Sequence, residues 1–471
     1  MTVRIYSTLT GREEPLVPIS ADGTVRMYVC GMTPKYHPHV GHARLFVAMD
    51  MIRRYLEYRG YAVKHVQNFT DIDDKIIQRA QREGRDAFAT AKAYSESYFT
   101  SMDRLNVQRA HVYPTVTGSM GHIIDFVQGL IDSGHAYEAE GDVYFGVATF
   151  PDYGKLSHRD LNSQLVAARK ELEPGKRDPR DFALWKRAKP GEPAWESPWG
   201  AGRPGWHIEC STMVRDTLGD QIDIHGGGAD LIFPHHENEI AQSEALLGKT
   251  FSQHWVHAGV LTIGSEKMAH SLENFTTIND VLDRYEPAAV RLFLLGGHYR
   301  QPMAFVLEDG ETGAVAVQAR GIEDARAGLT RLRTAVGDEP LQHEGALAED
   351  AVARFEAAMD ADFNTPDALA AIYDLAREVN RRRAAGHEAL DAGRRTIVRL
   401  LGVLGIDLLG GERVRPADGA EPFVDLLLEV RQKMREAKQW ALADEIRDRL
   451  GTLGVAVEDK PGNQSTWRWS D

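Results

Sequence analysis

Met27-Tyr28-Val29-Cys30-Gly31-Met32-Thr33-Pro34-Lys35-Tyr36-His37-Pro38-His39-Val40-Gly41-His42 is the stretch on which the fold turns. Residues 27–29 form a short apolar run that reads as a strand, and residues 31–42 read as a loop entering a helix. Residues 45–59 carry that helix and residues 62–66 the next strand. Strand, helix and strand in this order make a βαβ unit, which predicts an α/β protein with a doubly wound, Rossmann-type parallel sheet. Ligands of such sheets bind beyond the carboxyl ends of the strands, where the loop from Cys30 to His42 would lie.

The chain has 471 residues and two cysteines, Cys30 and Cys210, each beside a histidine-rich motif. Cys210 closes Gly205-Trp206-His207-Ile208-Glu209-Cys210 and precedes His235-His236-Glu237-Asn238-Glu239. Zinc takes about four ligands from thiolate, imidazole and carboxylate, and Cys30, Cys210, His235 and Glu239 supply that set. If residues 234–244 are helical, His235 and Glu239 share one face. His236, about 100° further round, is then expected to point away from the ion. The alternative is that both cysteines are buried core and the histidines satisfy local hydrogen bonds.

At 43% hydrophobic residues the chain can bury a large core, and its length predicts about three domains. It contains no apolar run of membrane-spanning length, and Met1-Thr2-Val3-Arg4-Ile5-Tyr6 does not open like a signal peptide. A cytoplasmic location follows as the expectation, with thiols reduced and available to metal. The net charge of −14 argues against indiscriminate DNA binding, though not against a nucleic acid that meets a local basic groove. The sheet pattern is interrupted over residues 111–199, which include a helical stretch near 123–130 and a charged, loop-rich region at 170–198. It resumes at about 200 and runs to 280. Residues 281–410 carry helical periodicity, a Gly/Pro-rich joint follows, and residues 420–471 form a small terminal module of two helical segments and a turn-rich tail.

In His39-Val40-Gly41-His42 a glycine between two histidines, at the entry to a helix, lets anionic oxygens approach backbone and imidazoles together. A second element, Gly264-Ser265-Glu266-Lys267-Met268-Ala269-His270-Ser271, offers cationic groups on a loop. Together they resemble the paired HIGH and KMSKS signatures of class I aminoacyl-tRNA synthetases. Longer blocks resemble the cysteinyl-tRNA synthetase family in particular: Tyr28 to Gly31, Asn68-Phe69-Thr70-Asp71-Ile72-Asp73-Asp74-Lys75, Gly202 to Cys210, and Asp223 to Glu239. The resemblance extends over nearly the whole chain, including the tail from Ala443 to Trp469.

The resemblance implies ATP-dependent attachment of L-cysteine to tRNA(Cys) through a cysteinyl adenylate. One Zn2+ per chain, on Cys30, Cys210, His235 and Glu239, would bind the substrate thiol, so that no editing domain is needed. ATP with Mg2+ would meet His39, Gly41, His42, Gly228, Asp230, Lys267 and His270, of which His39, His42, Lys267 and His270 would be catalytic. Thr70 and Trp206 would line the cysteine pocket. Taken alone, Thr70 reads equally as a helix cap, Trp206 as core and Asp230 as a turn residue. Residues 111–199 would be the connective peptide, 281–410 the stem-contact region and helical bundle, and 420–471 an α+β anticodon-binding module using Arg447, Arg449, Trp467 and Arg468. The protein would act as a monomer, with no membrane or DNA partner. Three other readings are a cysteine ligase acting on an amino sugar, a weakly active or non-catalytic tRNA-binding paralogue and, least favoured, a zinc hydrolase. The second is prompted by a departure, since histidine stands at 270 where the signature has its second lysine. Histidine is mostly neutral at pH 7, so activity is expected to fall above neutral pH.

Overall fold

Alternation along one strand sets the two layers of the catalytic region. In β1 (Val25–Met32), Val25, Met27 and Val29 join one apolar core and Tyr28 and Cys30 join another, as side chains of period two must when both faces of a sheet are covered. The computed structural model describes residues 2–159, 175–263, 266–267, 276–305, 307–308, 318–341, 345–387, 389–409, 421–437, 439–452, 455–460 and 464–469. Contacts divide the chain into two units, Met1–Leu408 and Leu409–Asp471.

In the first unit β1 is followed by α1 (Val40–Tyr58), β2 (Val63–Phe69), α2 (Asp74–Glu83) and α3 (Ala87–Arg104). Next come α4 (Met120–Asp132) and an antiparallel sheet of β3 (Ala136–Ala139), β4 (Asp142–Phe145), β5 (Phe182–Arg187) and β6 (Gly202–Pro204). The chain then re-enters the main sheet through α5 (Trp206–Leu218), β7 (Ile222–Gly228), α6 (Glu237–Leu247) and β8 (Ser252–Ala258). The main sheet is parallel, in the order β8-β7-β1-β2. From β1 the chain winds one way to β2 and later returns on the other side to β7 and β8, so the topological switch point lies between β1 and β7. A crevice opens at such a point.

The doubly wound class expected from the sequence is the one adopted. The local readings were short at the edges. β1 continues through Met32, which places Cys30 inside the strand. The first helix starts at Val40 instead of residue 45, because His39 and His42 supply its N-terminal hydrogen bonding. Val47, Ile52 and Leu56 bury α1 in the first core, and Asp50 on α1 pairs with Arg291 on α7 (Pro287–Leu295) at 2.7 Å. Longer helices that follow in this unit are α8 (Arg320–Val336), α9 (Glu349–Asp360), α10 (Thr365–Ala384) and α11 (Asp391–Val403). No helix among the described residues is long and apolar enough to cross a membrane.

The second unit holds α12 (Glu421–Glu436), α13 (Trp440–Thr452) and an antiparallel hairpin of β9 (Val455–Lys460) and β10 (Gln464–Trp469). Val424, Leu428, Leu450 and Val455 form its small core, with Trp467 packed against them.

Candidate active site and metal centre

Register assembles the candidate metal centre. Tyr28 on β1 lies opposite His225 on β7, and His225 lies opposite Trp255 on β8. His225 stacks on Trp255, with ring centroids 4.3 Å apart. Two residues further along, on the same face and nearer the carboxyl ends, come Cys30, Gly227 and His257. Gly227 is required there, since a Cβ would come within 2.5 Å of the His236 ring. Helices α5 and α6 pack over this face and deliver Cys210 and Glu239.

The four expected ligand atoms lie within 4.8 Å of one another, and all four residues are buried. Cys30 Sγ is 3.6 Å from Cys210 Sγ and 3.5 Å from Glu239 Oε1, and His235 Nε2 is 3.1 Å from Glu239 Oε1. Zinc–sulfur bonds of about 2.3 Å make tetrahedron edges of about 3.8 Å, and the shorter bonds to nitrogen or oxygen make edges of about 3.4 Å. The observed spacings are close to those edges, so the residues fit a tetrahedral cation.

His236 does not point away as expected. Its Nε2 lies 3.3 Å from Cys30 Sγ, and Cys30, His225, His236 and Glu239 form a second overlapping group within the same 4.8 Å. The 100° argument fails because residues 232–236 are not regular helix: they form a wide turn in which Phe233 is extended, and α6 begins only at Glu237. The first group is the one that holds both cysteines and meets the cleft, through Cys30 and through Trp206 lying on His235. The second supports it: His225 Nε2 is 2.8 Å from Glu239 Oε2, and His236 Nδ1 is 2.8 Å from His257 Nε2, whose other nitrogen meets Thr8 Oγ1 at 2.7 Å. Sequence reasoning assigned no role to His225 or His257. Their position two residues apart from their neighbours in register was the available signal, and it required the strand pairing.

Burial pushes the Cys30 thiol and the Glu239 carboxyl well up and His235 and His236 well down, while His225 and His257 fall to about 3. All of these shifts disfavour charge. A divalent cation reverses them for thiol and carboxyl by binding the anionic forms.

Above the centre is a cleft of about 550 Å³ at the switch point. Its lining includes Cys30, His39, Gly41, His42, Trp206, Gly228, Asp230 and Leu261. His39 is the N-cap of α1, and its backbone N–H donates to His42 Nδ1 at 3.2 Å, which leaves the proton of a neutral His42 on Nε2. The two imidazoles lie 3.8 Å apart at their centroids. A Cβ on Gly41 would come within 2.9 Å of the His39 ring. Trp206 is 39% exposed and stacks on His235 at 4.1 Å, so the core reading is excluded. Thr70 is buried and caps no helix; its hydroxyl donates to Glu209 Oε2 at 2.8 Å. Asp230 folds its carboxylate back over Gly228, where a Cβ would meet Oδ1 at 2.5 Å.

The backbone of Lys267 pairs with Thr262 in a short ribbon beside the cleft. Residues 268–275, with His270, lie outside the described residues. Beyond them, Thr276 O accepts from Val40 N at 3.0 Å and Pro38 O accepts from Ile278 N at 2.9 Å, which ties the end of the second signature to the first. In the second unit Arg447 pairs with Asp444 and Arg449 with Glu445, while the Trp467 indole donates to Asp425. Arg468 pairs through its backbone with Ala456.

Three family models match in series: "tRNA synthetases class I (C) catalytic domain" over residues 16–312, "DALR domain" over 354–409 and "Cysteinyl-tRNA ligase anticodon binding domain" over 418–468. Among solved structures, a Mycobacterium tuberculosis methionyl-tRNA synthetase with methionyl-adenylate superposes with a TM-score of 0.58 at 18% identity, over 86% of this chain and 94% of that one. An Agrobacterium radiobacter LeuRS–tRNA–LeuAMS complex gives 0.59 at 11% identity, over 83% and 85%. The fold is therefore that of the class I aminoacyl-tRNA synthetases. A cysteine–tRNA ligase of Dehalococcoides mccartyi is 48% identical over 99% of both chains, and one of Moorella thermoacetica is 48% identical over 97% of this chain and 98% of its own. The chain belongs to the cysteinyl-tRNA synthetase family.

Proposed function

We propose that this protein activates L-cysteine with ATP and transfers it to tRNA(Cys). The observation that carries the reading is the buried two-thiol, imidazole and carboxylate cluster at the floor of a cleft whose wall is the His39–His42 helix start. Zinc, when bound by Cys30, Cys210, His235 and Glu239, would hold the substrate sulfur as thiolate and discriminate against the serine hydroxyl.

In the first step a cysteine carboxylate oxygen bonds to the α-phosphorus of ATP, the α–β bridging bond breaks, and pyrophosphate leaves with the electron pair. No side chain needs to act as nucleophile, so the residues work by position and charge. His42, neutral with Nε2–H available, and His39 would donate to the triphosphate across the bare backbone of Gly41. Lys267 and His270 would meet the β- and γ-phosphates with Mg2+, and Gly228 and Asp230 the adenosine or the substrate amine. Trp206 would close over the cysteine side chain, and Thr70 would reach the pocket through Glu209. In the second step a hydroxyl of the terminal adenosine of tRNA attacks the cysteinyl carbonyl and AMP leaves. The match over residues 418–468 favours tRNA over an amino sugar as acceptor. Arg447, Arg449, Trp467 and Arg468 belong to the module that would read the anticodon, with Trp467 supporting its core.

The test is cysteine-dependent ATP–pyrophosphate exchange with serine as control, followed by charging of tRNA with the cysteine anticodon. Exchange with cysteine and not serine, with stable charging, is the expected result. Exchange without charging would transfer the reading to an amino-sugar ligase, and absence of exchange would overturn it in favour of a binding paralogue.

A further inference from the structure

The cleft carries a basic rim that the adenylation chemistry leaves unused. Among the described residues its lining includes Lys35 on the loop after β1 and Lys75, Arg79 and Arg82 on α2, whereas Asp230 is the single carboxylate there. That balance is unusual in a chain of net charge −14. Arg79 is already committed: it pairs with Glu83 at 2.5 Å and lies over the Tyr36 ring at 4.6 Å. Lys35, Lys75 and Arg82 have no ion-pair partner among the described residues. Burial and the charge of Lys75 both depress the Lys35 ammonium, opposed by Asp73. Cations that outnumber the carboxylates facing them, here Asp73 alone for Lys35, are placed for a polyanion.

Position decides which polyanion. Gly228, Asp230 and residues 259–261 follow β7 and β8, on one side of the His39–His42 helix start; α2 follows β2, on the other. The nucleotide side and the α2 part of the basic rim therefore flank the start of α1 from opposite sides, with Lys35 on the loop between them. The rim is also built against the inserted antiparallel sheet, because Asp74 at the start of α2 takes Arg203 from β6 at 2.5 Å and Lys186 from β5 at 3.5 Å. We propose that Lys35, Lys75 and Arg82 form a phosphodiester subsite for the single-stranded 3′ end of tRNA, engaged in the transfer step and not in adenylation. The inference rests on the reading of the protein as a tRNA-charging enzyme.

The test compares the full-length parent with Lys75→Ala/Arg82→Ala in two assays. Cysteine-dependent ATP–pyrophosphate exchange should stay within about twofold, while kcat/KM for tRNA charging falls about tenfold and its dependence on log salt loses a slope of about 1.4, about 0.7 for each of two lost single-strand phosphate contacts. Lys75→Arg should restore most of its share. Arg85→Ala, which removes a neighbouring charge that does not line the cleft, should leave charging within twofold and so separates local contact from net charge. Equal losses in exchange and charging would overturn the proposal in favour of the ATP phosphates, and no loss in either would make the rim an ordinary solvated face. A parent that fails to exchange would instead overturn the functional reading beneath it.

Discussion

The sulfur atoms of Cys30 and Cys210 stand 3.6 Å apart, 180 residues apart in sequence and both buried. That separation is far beyond a disulfide bond and close to the edge of a zinc tetrahedron. Cys210→Ala is expected to lower zinc content from one to below about 0.1 per chain and to abolish cysteine-dependent exchange. Metal analysis of dialysed protein checks it, and full retention of zinc would exclude Cys210 as a ligand.

His225 and His236 distinguish the two overlapping metal groups. If they orient Glu239 and Cys30 from behind, His236→Ala should weaken zinc binding about 10–100-fold yet still reach one zinc per chain when zinc is in excess. Gly227→Ala should move in the same direction, because its Cβ would displace the His236 ring. Competition against a colorimetric chelator measures both, and loss of stoichiometry in His236→Ala would place His236 among the direct ligands.

Proton linkage at this centre has a definite sign. Burial raises the Cys30 thiol and Glu239 carboxyl, so the metal-free protein holds protons that zinc must displace. His235 is already neutral and releases none. Zinc affinity should therefore rise with pH, about tenfold per unit for each proton displaced. A carboxyl raised on folding gives stability that is complete below its unfolded pKa and lost as pH climbs through the folded value. Buried His225, His235, His236 and His257, held neutral, act with the opposite sign up to about pH 6.5, so the chelated protein should lose Tm from about pH 6.5 to 8 while the zinc-loaded protein does not. Parallel thermal melts with and without chelator would show it, and a gap independent of pH would refute it.

The change from lysine to histidine at residue 270 should be visible in the pH profile of exchange. A histidine of ordinary pKa near 6.5 loses its charge through neutrality, whereas lysine keeps it. His270→Lys is expected to hold its rate from pH 6.5 to 8.5, where the parent declines by several-fold. Superimposable profiles would remove His270 from phosphate stabilisation.

Periodicity made the sheet class legible because β1 and α1 carry patterns that their own neighbours enforce. The cysteines and the 235/239 spacing were legible for a different reason: few chemistries need those residue types together. What sequence could not supply was anything fixed by pairing across the sheet. His225, His257 and Gly227 matter only because β7 and β8 sit in a particular register with β1, and His236 turned inward only because residues 232–236 depart from helix. The basic rim was equally hidden, since Lys35 and Lys75 meet through the adjacency of β1 and β2.

Asp50 and Arg291 anchor α1, the helix capped by His39, and both side chains are almost wholly buried. Burial works to raise the Asp50 carboxyl, but Arg291 and Arg54 hold it below its ordinary value. Arg291 also donates to the carbonyls of Leu105, Asn106 and Leu404. Arg291→Ala leaves a buried carboxylate short of its main partner and three carbonyls without this donor, at a cost of about 3–5 kcal/mol. The urea midpoint at pH 7 should fall accordingly. Because a depressed carboxyl gives stability that is present above its unfolded pKa and lost as pH falls, the parent's advantage should shrink on acidification below about pH 4. A midpoint unchanged at pH 7 would mean that α1 is held by its apolar face alone.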